Sequence, residues 1–182
     1  KYRDEFLFPH VNGKQVIYFT GNSLGLQSKR TKAYVDEIMD DWAKLAVEGH
    51  FYADKPWWDY HERFAAPLSK VVGALPSEVT VMNTLTVNLH LLLVSFYRPT
   101  AKRFKIICEE KAFPSDQYMI KSQVKFHGLN PEDTIVEIKR RPGEHNIRVE
   151  DILDKIKETG DELALVLIGG VNYYTGQVFD MK

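Results

Sequence analysis

Apolar and polar positions alternate along the second half of the chain in a way that predicts strands separated by helices. Short apolar runs predict strands over residues 104–108, 134–138 and 163–168. Helical spacing between them predicts helices from about 113 to 128 and from about 149 to 159. Apolar strands that alternate with helices are typical of a mostly parallel sheet with helices on both faces. The pattern therefore predicts an α/β fold.

The first half of the chain predicts two short strands and three helices. The strands are expected over 15–19 and 79–82, and the helices over 28–47, 57–72 and 85–97. Gly49 is placed to end the first helix and Gly73 the second, while Pro67 can kink or split the second. The third helix is apolar nearly all round, so we expect it to be buried.

Composition narrows the class of protein. The 182 residues, 44% hydrophobic and 27% charged, fit one domain with or without a small appendage. A net charge of −1 disfavours nucleic-acid binding, and no apolar run is long enough to span a bilayer. The first residues do not resemble a signal peptide. Cys108 is the only cysteine, which excludes an internal disulfide and favours a cytoplasmic protein.

Parallel sheets bind ligands at the carboxyl ends of their strands, which directs attention to the loops at 83–86, 112–116 and 169–176. In the first loop, free N–H groups of a helix start and threonine hydroxyls can bind a phosphate monoester. Thr84 could equally be a helix cap. In the second loop, Phe113 can stack on a flat ligand and Asp116 can bond to a ring nitrogen. The alternative is a core phenylalanine followed by a proline turn and a Ser or Asp cap.

The histidines give one candidate and no metal site. His50 follows Gly49 and precedes two aromatic residues, and it is the histidine that best fits a substrate pocket. No histidine pair has the spacing of a helical metal site, so we expect no bound metal.

Several segments, taken in order, resemble the kynureninase family. They are residues 21–27 (GNSLGLQ), 42–44 with 49–50, 82–90 (MNTLTVNLH), 111–116 (KAFPSD) and 170–177 (GVNYYTGQ). The resemblance implies fold type I of the pyridoxal-phosphate enzymes, the aspartate aminotransferase architecture, here incomplete. It implies that residues 1–50 form an N-terminal segment of the small domain or dimer contact. Residues 51–182 would then begin the large cofactor-binding domain of a homodimer.

The resemblance also implies an activity in tryptophan catabolism and NAD biosynthesis. It is the hydrolysis of L-kynurenine or 3-hydroxykynurenine to anthranilate or 3-hydroxyanthranilate plus L-alanine, with pyridoxal 5′-phosphate as cofactor. Which substrate is preferred stays open. The implied site residues are Leu85 and Thr86 for the cofactor phosphate, Phe113, Pro114, Ser115 and Asp116 around the cofactor ring, and His50 and Ser23 for the substrate.

Two departures from the family pattern limit the activity that we expect from this chain. Gly169 stands where some relatives have a small hydroxyl residue, so we assign no cofactor contact there. The family's later elements, an Asp with a nearby His and a Tyr-Lys pair whose lysine holds the cofactor, have no counterpart, and Lys182 does not match that lysine. We therefore expect no catalytic residue in this chain and no activity from it alone. The alternatives are another fold-type-I enzyme, such as a class V aminotransferase or cysteine desulfurase, and a non-catalytic dimerisation fragment.

Overall fold

The computed structural model describes residues 1–181, which form two compact units. The first unit is Lys1–Met82, and the second begins at Asn83. This boundary lies 32 residues after the division expected at residue 50. The assignment of residues 1–50 and 51–182 to the family's domains stays a prediction. Lys182, which does not match the family's cofactor lysine, lies outside the described residues.

The regular elements of the first unit are helices, short 3-10 turns and one small hairpin. Asn12 and Gly13, both with positive φ, form the turn between its two strands, because a two-residue hairpin turn of this kind needs left-handed backbone at both positions. Its elements are β1 (His10–Val11), β2 (Lys14–Gln15), α1 (Thr31–Leu45), α2 (Gly49–Tyr52) and α3 (Ala65–Val72), with 3-10 turns at Arg3–Glu5, Ala46–Glu48, Tyr60–Phe64 and Pro76–Glu78.

Sequence patterns located α1 and α3 of the first unit but neither α2 nor its strands. The strand expected over 15–19 is limited to Gln15 at the end of β2, and residues 79–82 have no strand partner among the described residues. An apolar run becomes a strand only when a neighbouring strand takes up its backbone hydrogen bonds. The helix expected over 57–72 is split before α3 begins at Ala65, and Pro67 lies in the first turn of α3, where it costs no helical hydrogen bond. Gly73, with φ 71°, ends α3 as predicted.

Gly49 does not end the first long helix, so that prediction is wrong. Ala46, with φ 49°, ends α1, and Gly49 has helical backbone at the start of α2. A Cβ at Gly49 would lie 2.5 Å from Cη2 of Trp57. Glycine is required here because the indole ring lies against the backbone, and this cannot be inferred from local sequence.

The second unit contains a three-stranded parallel sheet, as the alternating pattern predicted. The strand order is β4-β3-β5, and every pair is parallel. Its elements in chain order are α4 (Leu85–Phe96), β3 (Lys105–Glu109), α5 (Pro114–Phe126), α6 (Pro131–Thr134), β4 (Ile135–Ile138), α7 (Val149–Thr159) and β5 (Leu163–Leu167).

The two faces of this sheet carry separate hydrophobic clusters because side chains alternate along β3. Ile106 and Cys108 pack with residues of α4 and α5, including Leu93 and Met119. Ile107 points to the opposite face and packs in a cluster to which α7 contributes. Burying each isoleucine fully stabilises the fold by about 1.5–3 kcal/mol. The expectation of helices on both faces is confirmed.

The apolar helix α4 is not buried, contrary to expectation. Leu93 is 3% exposed and Leu89 is partly buried against the same cluster, whereas Phe96 is 74% exposed. The other exposed apolar side chains of this helix are Leu85, Val87, Leu91, Leu92 and Val94. A helix that is apolar all round needs cover on every side. In the described part of the chain, the second unit covers one side only.

Among the described residues, every helix is too short or too polar to span a membrane.

Candidate cofactor-binding site

The candidate site lies in the second unit, where α5 begins after β3. Phe113 is the residue before the first turn of α5, and its ring packs edge-on with the ring of Tyr173, with centroids 5.0 Å apart and planes at 87°. Phe113 is still 47% exposed. This contradicts the core alternative and leaves ring surface on which a flat ligand can stack.

Asp116 lies in the first turn of α5 and is not a helix cap. No side chain caps this helix, and the N–H of Asp116 donates to the carbonyl of Phe113 at 2.9 Å. Burial raises the pKa of the Asp116 carboxyl, and the hydroxyl of Ser115, 3.4 Å away, partly offsets that rise. Asp116 has no ion-pair partner within residues 1–181. A protonated ring nitrogen would be a fitting partner for this carboxylate.

The start of α4 supplies free hydrogen-bond donors. Thr84 is the residue before the helix, but its side chain makes no capping hydrogen bond, so the capping alternative is wrong. The backbone N–H groups of Leu85 and Thr86 have no acceptor within the helix, because the first turn never provides one. Thr86 is partly exposed, and its hydroxyl adds another donor. A helix start of this kind can bind a phosphate group.

The loop after β5 contains a residue that sequence reasoning missed. Asn172 donates through Nδ2 to Oε2 of Glu109 at 2.8 Å, and its Oδ1 accepts hydrogen bonds from the N–H groups of Tyr174 and Thr175. The sequence predicts that the loop 169–176 binds a ligand, but it assigns no role to Asn172, which lies in the 170–177 motif, or to Glu109. An Asn followed closely by Thr and Gly is a turn signal that could have identified Asn172.

Gly169 has room for a small side chain. A Cβ there would lie 3.5 Å from the carbonyl of Val171 and 3.6 Å from Oε1 of Glu109, which are ordinary contacts. Space alone would therefore allow a serine at this position.

A surface cavity of about 290 Å³ lies at the carboxyl ends of the strands. It is lined by Glu110, Lys111, Arg140, Asn172, Tyr173 and Tyr174. Arg140 donates through Nε to Oε1 of Glu110 at 2.9 Å, and this bond holds the pKa of the Glu110 carboxyl below its usual range. The rim of the cavity is therefore fixed by an ion pair, and Tyr173 links it to Phe113.

The substrate candidates His50 and Ser23 belong to the first unit. Nδ1 of His50 lies 2.9 Å from the carbonyl of Val47, and since a carbonyl only accepts, Nδ1 carries the proton and Nε2 can accept. The His50 ring packs edge-on with Trp57 at 5.4 Å. Ser23 is exposed in the loop that follows Thr20. The cofactor candidates at the starts of α4 and α5 all lie in the second unit. That His50 and Ser23 contact the same substrate stays a prediction.

The described residues hold no group of three or more His, Cys, Asp or Glu side chains placed to bind a metal ion.

Comparison with known proteins gives matches along the whole chain. The chain is 81% identical over 181 residues to the kynureninase of Flavobacterium johnsoniae, covering all of this chain and 43% of that protein. It is 54% identical to the kynureninase of Myxococcus xanthus and 47% identical to that of Nematostella vectensis, covering 42% of each. The resemblance to kynureninase is confirmed.

The chain thus spans less than half the length of the curated kynureninases it matches. No family model matches it. The candidate residues at the starts of α4 and α5 all lie within the part that aligns with kynureninase, because that alignment covers the whole chain.

Proposed function

We propose that this chain is the part of a kynureninase that binds pyridoxal 5′-phosphate. The longer protein would hydrolyse L-kynurenine or 3-hydroxykynurenine to anthranilate or 3-hydroxyanthranilate plus L-alanine. The observation that carries the proposal is 81% identity to a kynureninase over the whole chain. The uncapped start of α4 and the exposed ring of Phe113 support it, because they suit a phosphate and a flat ring.

The residues of this chain bind and orient the cofactor, which when bound supplies the electron sink for the reaction. The N–H groups of Leu85 and Thr86 hold the phosphate, with the Thr86 hydroxyl as a further donor. Phe113 stacks on the pyridine ring and excludes water from it. Asp116, with Ser115 and Pro114 beside it, places a carboxylate that stabilises a proton on the ring nitrogen.

His50 and Ser23 line the pocket for the aromatic end of the substrate. The free Nε2 of His50 can accept a hydrogen bond from an amino or hydroxyl group, since its Nδ1–H is already bonded to Val47. The contacts in this pocket would set the preference between the two kynurenines.

The lysine that holds the cofactor covalently is proposed to lie in the part of kynureninase that this chain does not span. The chain alone is then inactive. We further propose a fold-type-I enzyme that acts as a cytoplasmic homodimer. The exposed apolar side chains of α4 support a larger assembly, because such surface is normally covered by protein.

The test uses the longer protein and the chain alone, each with pyridoxal 5′-phosphate. L-kynurenine or 3-hydroxykynurenine is added, and the aromatic amine product is followed by fluorescence. We expect product from the longer protein and none from residues 1–182. A cofactor-loaded longer protein that makes no product from either substrate would move the function to another fold-type-I reaction. A longer protein that binds no cofactor would favour a non-catalytic dimerisation role.

The Phe113→Ala variant tests the cofactor site itself. Loss of an aromatic stack should weaken cofactor affinity about tenfold or less, because such contacts contribute about 0.5–1.5 kcal/mol. Phe126→Ala is the matched control, since Phe126 is a 76% exposed aromatic residue at the other end of the same helix. Equal affinities for the two variants would argue against stacking on Phe113.

A further inference from the structure

Glu109 is a buried acid with a defined partner. It is the last residue of β3 and is 7% exposed. A buried carboxylate is costly unless hydrogen bonds compensate for lost water. Its Oε2 accepts a hydrogen bond from Nδ2 of Asn172, a residue 63 positions away in the chain, at 2.8 Å. This bond connects the end of β3 to the loop that follows β5.

Asn172 holds that loop in one conformation. Its Oδ1 accepts from the N–H of Tyr174 at 3.0 Å and from the N–H and hydroxyl of Thr175 at 2.9 and 3.1 Å. Its own N–H donates to the carbonyl of Gln177 at 2.8 Å. The orientation of the amide is fixed by chemistry, because a flipped amide would turn an oxygen toward the carboxylate of Glu109.

Tyr173 lies inside the loop that Asn172 closes. Its ring packs edge-on with Phe113, 5.0 Å between centroids. Edge-on packing of this kind has a preferred angle, so moving one ring changes the plane of the other. A continuous set of contacts therefore runs from Glu109 through Asn172 and Tyr173 to Phe113. All four residues lie in the second unit.

We propose that Glu109 and Asn172 are positioning residues that set the plane of the Phe113 ring through Tyr173. The inference rests on the proposed function, in which Phe113 stacks on the cofactor. Neither Glu109 nor Asn172 needs to touch the cofactor. Their effect is to present the Phe113 ring in one orientation, so that the cofactor binds in one orientation as well.

The hydrogen bond between the two residues can be broken and rebuilt by changing charge alone. Asn172→Asp places a second carboxylate against Glu109, and two acceptors with like charge repel. Glu109→Gln keeps an oxygen that can accept from Asn172. The double variant Glu109→Gln with Asn172→Asp restores the bond with donor and acceptor exchanged, and the new carboxylate still accepts from Tyr174 and Thr175.

The experiment uses the longer protein loaded with pyridoxal 5′-phosphate. Cofactor affinity is measured by titration, and the visible circular dichroism per bound cofactor reports how the ring is held. Asn172→Asp should lose most of that dichroism and bind the cofactor roughly threefold to tenfold more weakly, the effect of one misaligned aromatic contact. Glu109→Gln and the double variant should keep the parental dichroism.

Three further variants keep the proposal independent of folding defects. Tyr173→Leu removes the ring without touching the hydrogen bonds and should reproduce the loss of dichroism, whereas Tyr174→Leu, at an 82% exposed neighbour, should not. Asn130→Ala removes the Asn cap of α6 and controls for general loss of stability. It should leave the dichroism per bound cofactor unchanged.

The outcomes separate this inference from the proposed function. Parental dichroism in Asn172→Asp or Tyr173→Leu, or failure of the double variant to restore it, overturns the positioning role while the cofactor site stands. A parent protein that binds no pyridoxal 5′-phosphate overturns both.

Discussion

Replacing Gly49 by alanine should destabilise the first unit, because the site lacks room for a methyl group. The backbone is not the obstacle, since Gly49 has φ −58° and any residue can adopt that value. The added Cβ would lie 2.5 Å from Cη2 and 2.8 Å from Cζ2 and Cζ3 of Trp57. Carbon atoms pack best at about 3.5–4.0 Å, so the indole must move by roughly 1 Å or more.

The size of the effect follows from two opposing contributions. Overpacking a closely packed site costs about 1–3 kcal/mol. Alanine is favoured over glycine in helices by about 1 kcal/mol, although only part of this applies in the four-residue helix α2. The net destabilisation of Gly49→Ala should be about 1–2 kcal/mol. With a urea slope of about 1–3 kcal/mol per molar, the midpoint should fall by roughly 0.3–2 M.

Tryptophan fluorescence during urea unfolding is the appropriate measurement. The three tryptophans of the chain, Trp42, Trp57 and Trp58, all lie in the first unit, so the signal reports on that unit. Gly25→Ala is the matched control, because nothing lies within 4 Å of its Cβ position. Its free energy of unfolding should change by less than about 0.5 kcal/mol.

A double-mutant cycle makes the argument refutable. Removing the indole with Trp57→Leu should abolish the penalty of Gly49→Ala, since the clash is with that ring. A Gly49→Ala variant as stable as the parent, or a penalty that persists without the indole, would refute the packing explanation.

Two other predictions concern titratable side chains of the second unit. Burial raises the pKa of the Cys108 thiol to about 12, with smaller contributions from Glu137 and Glu109, so a thiol reagent at pH 8 should modify Cys108 only when urea unfolds the chain. Modification of the native chain at the rate of a free thiol would contradict this. Because burial raises the pKa of Asp116 in the folded chain, this carboxyl loses its proton at a lower pH in the unfolded chain than in the folded one. The cofactor-free chain therefore loses stability as pH rises from the unfolded pKa through the folded pKa. Asp116→Asn should remove that loss, so the variant should be more stable than the parent at pH 7 and equally stable below about pH 4. Stability is measured by unfolding followed with far-ultraviolet circular dichroism. Parallel curves of stability against pH for the two proteins would show that burial does not penalise the carboxylate.

Local sequence patterns predicted those elements whose formation depends on residues close in the chain. The alternation of apolar runs and helical spacing predicted β3, β4 and β5 to within about two residues, the usual uncertainty of such boundaries. Patterns failed where an element depends on distant partners. Residues 79–82 have strand composition without a strand partner in the described structure, and α4 has the composition of a buried helix while most of its apolar side chains are exposed.

At the candidate site, too, local motifs identified residues, whereas their surroundings depended on the tertiary structure. Motifs named Leu85, Thr86, Phe113 and Asp116, but they left open whether the loops cap helices or bind ligands. The structure rules out the capping alternative, because neither helix start has a side-chain cap. Ligand binding at these loops stays a prediction. It also placed His50 and Ser23 in a different unit from the other candidates.

The sequence by itself determined the α/β alternation and the resemblance to kynureninase, because periodicity and motifs are properties of neighbouring residues. Only the tertiary structure decided which side chains meet across the sheet. Glu109 and Asn172 are far apart in the chain and carry no shared local signal, and they lie 2.8 Å apart only because β3 and β5 are neighbours in a parallel sheet. Gly49 is likewise explained only by the indole that packs against it.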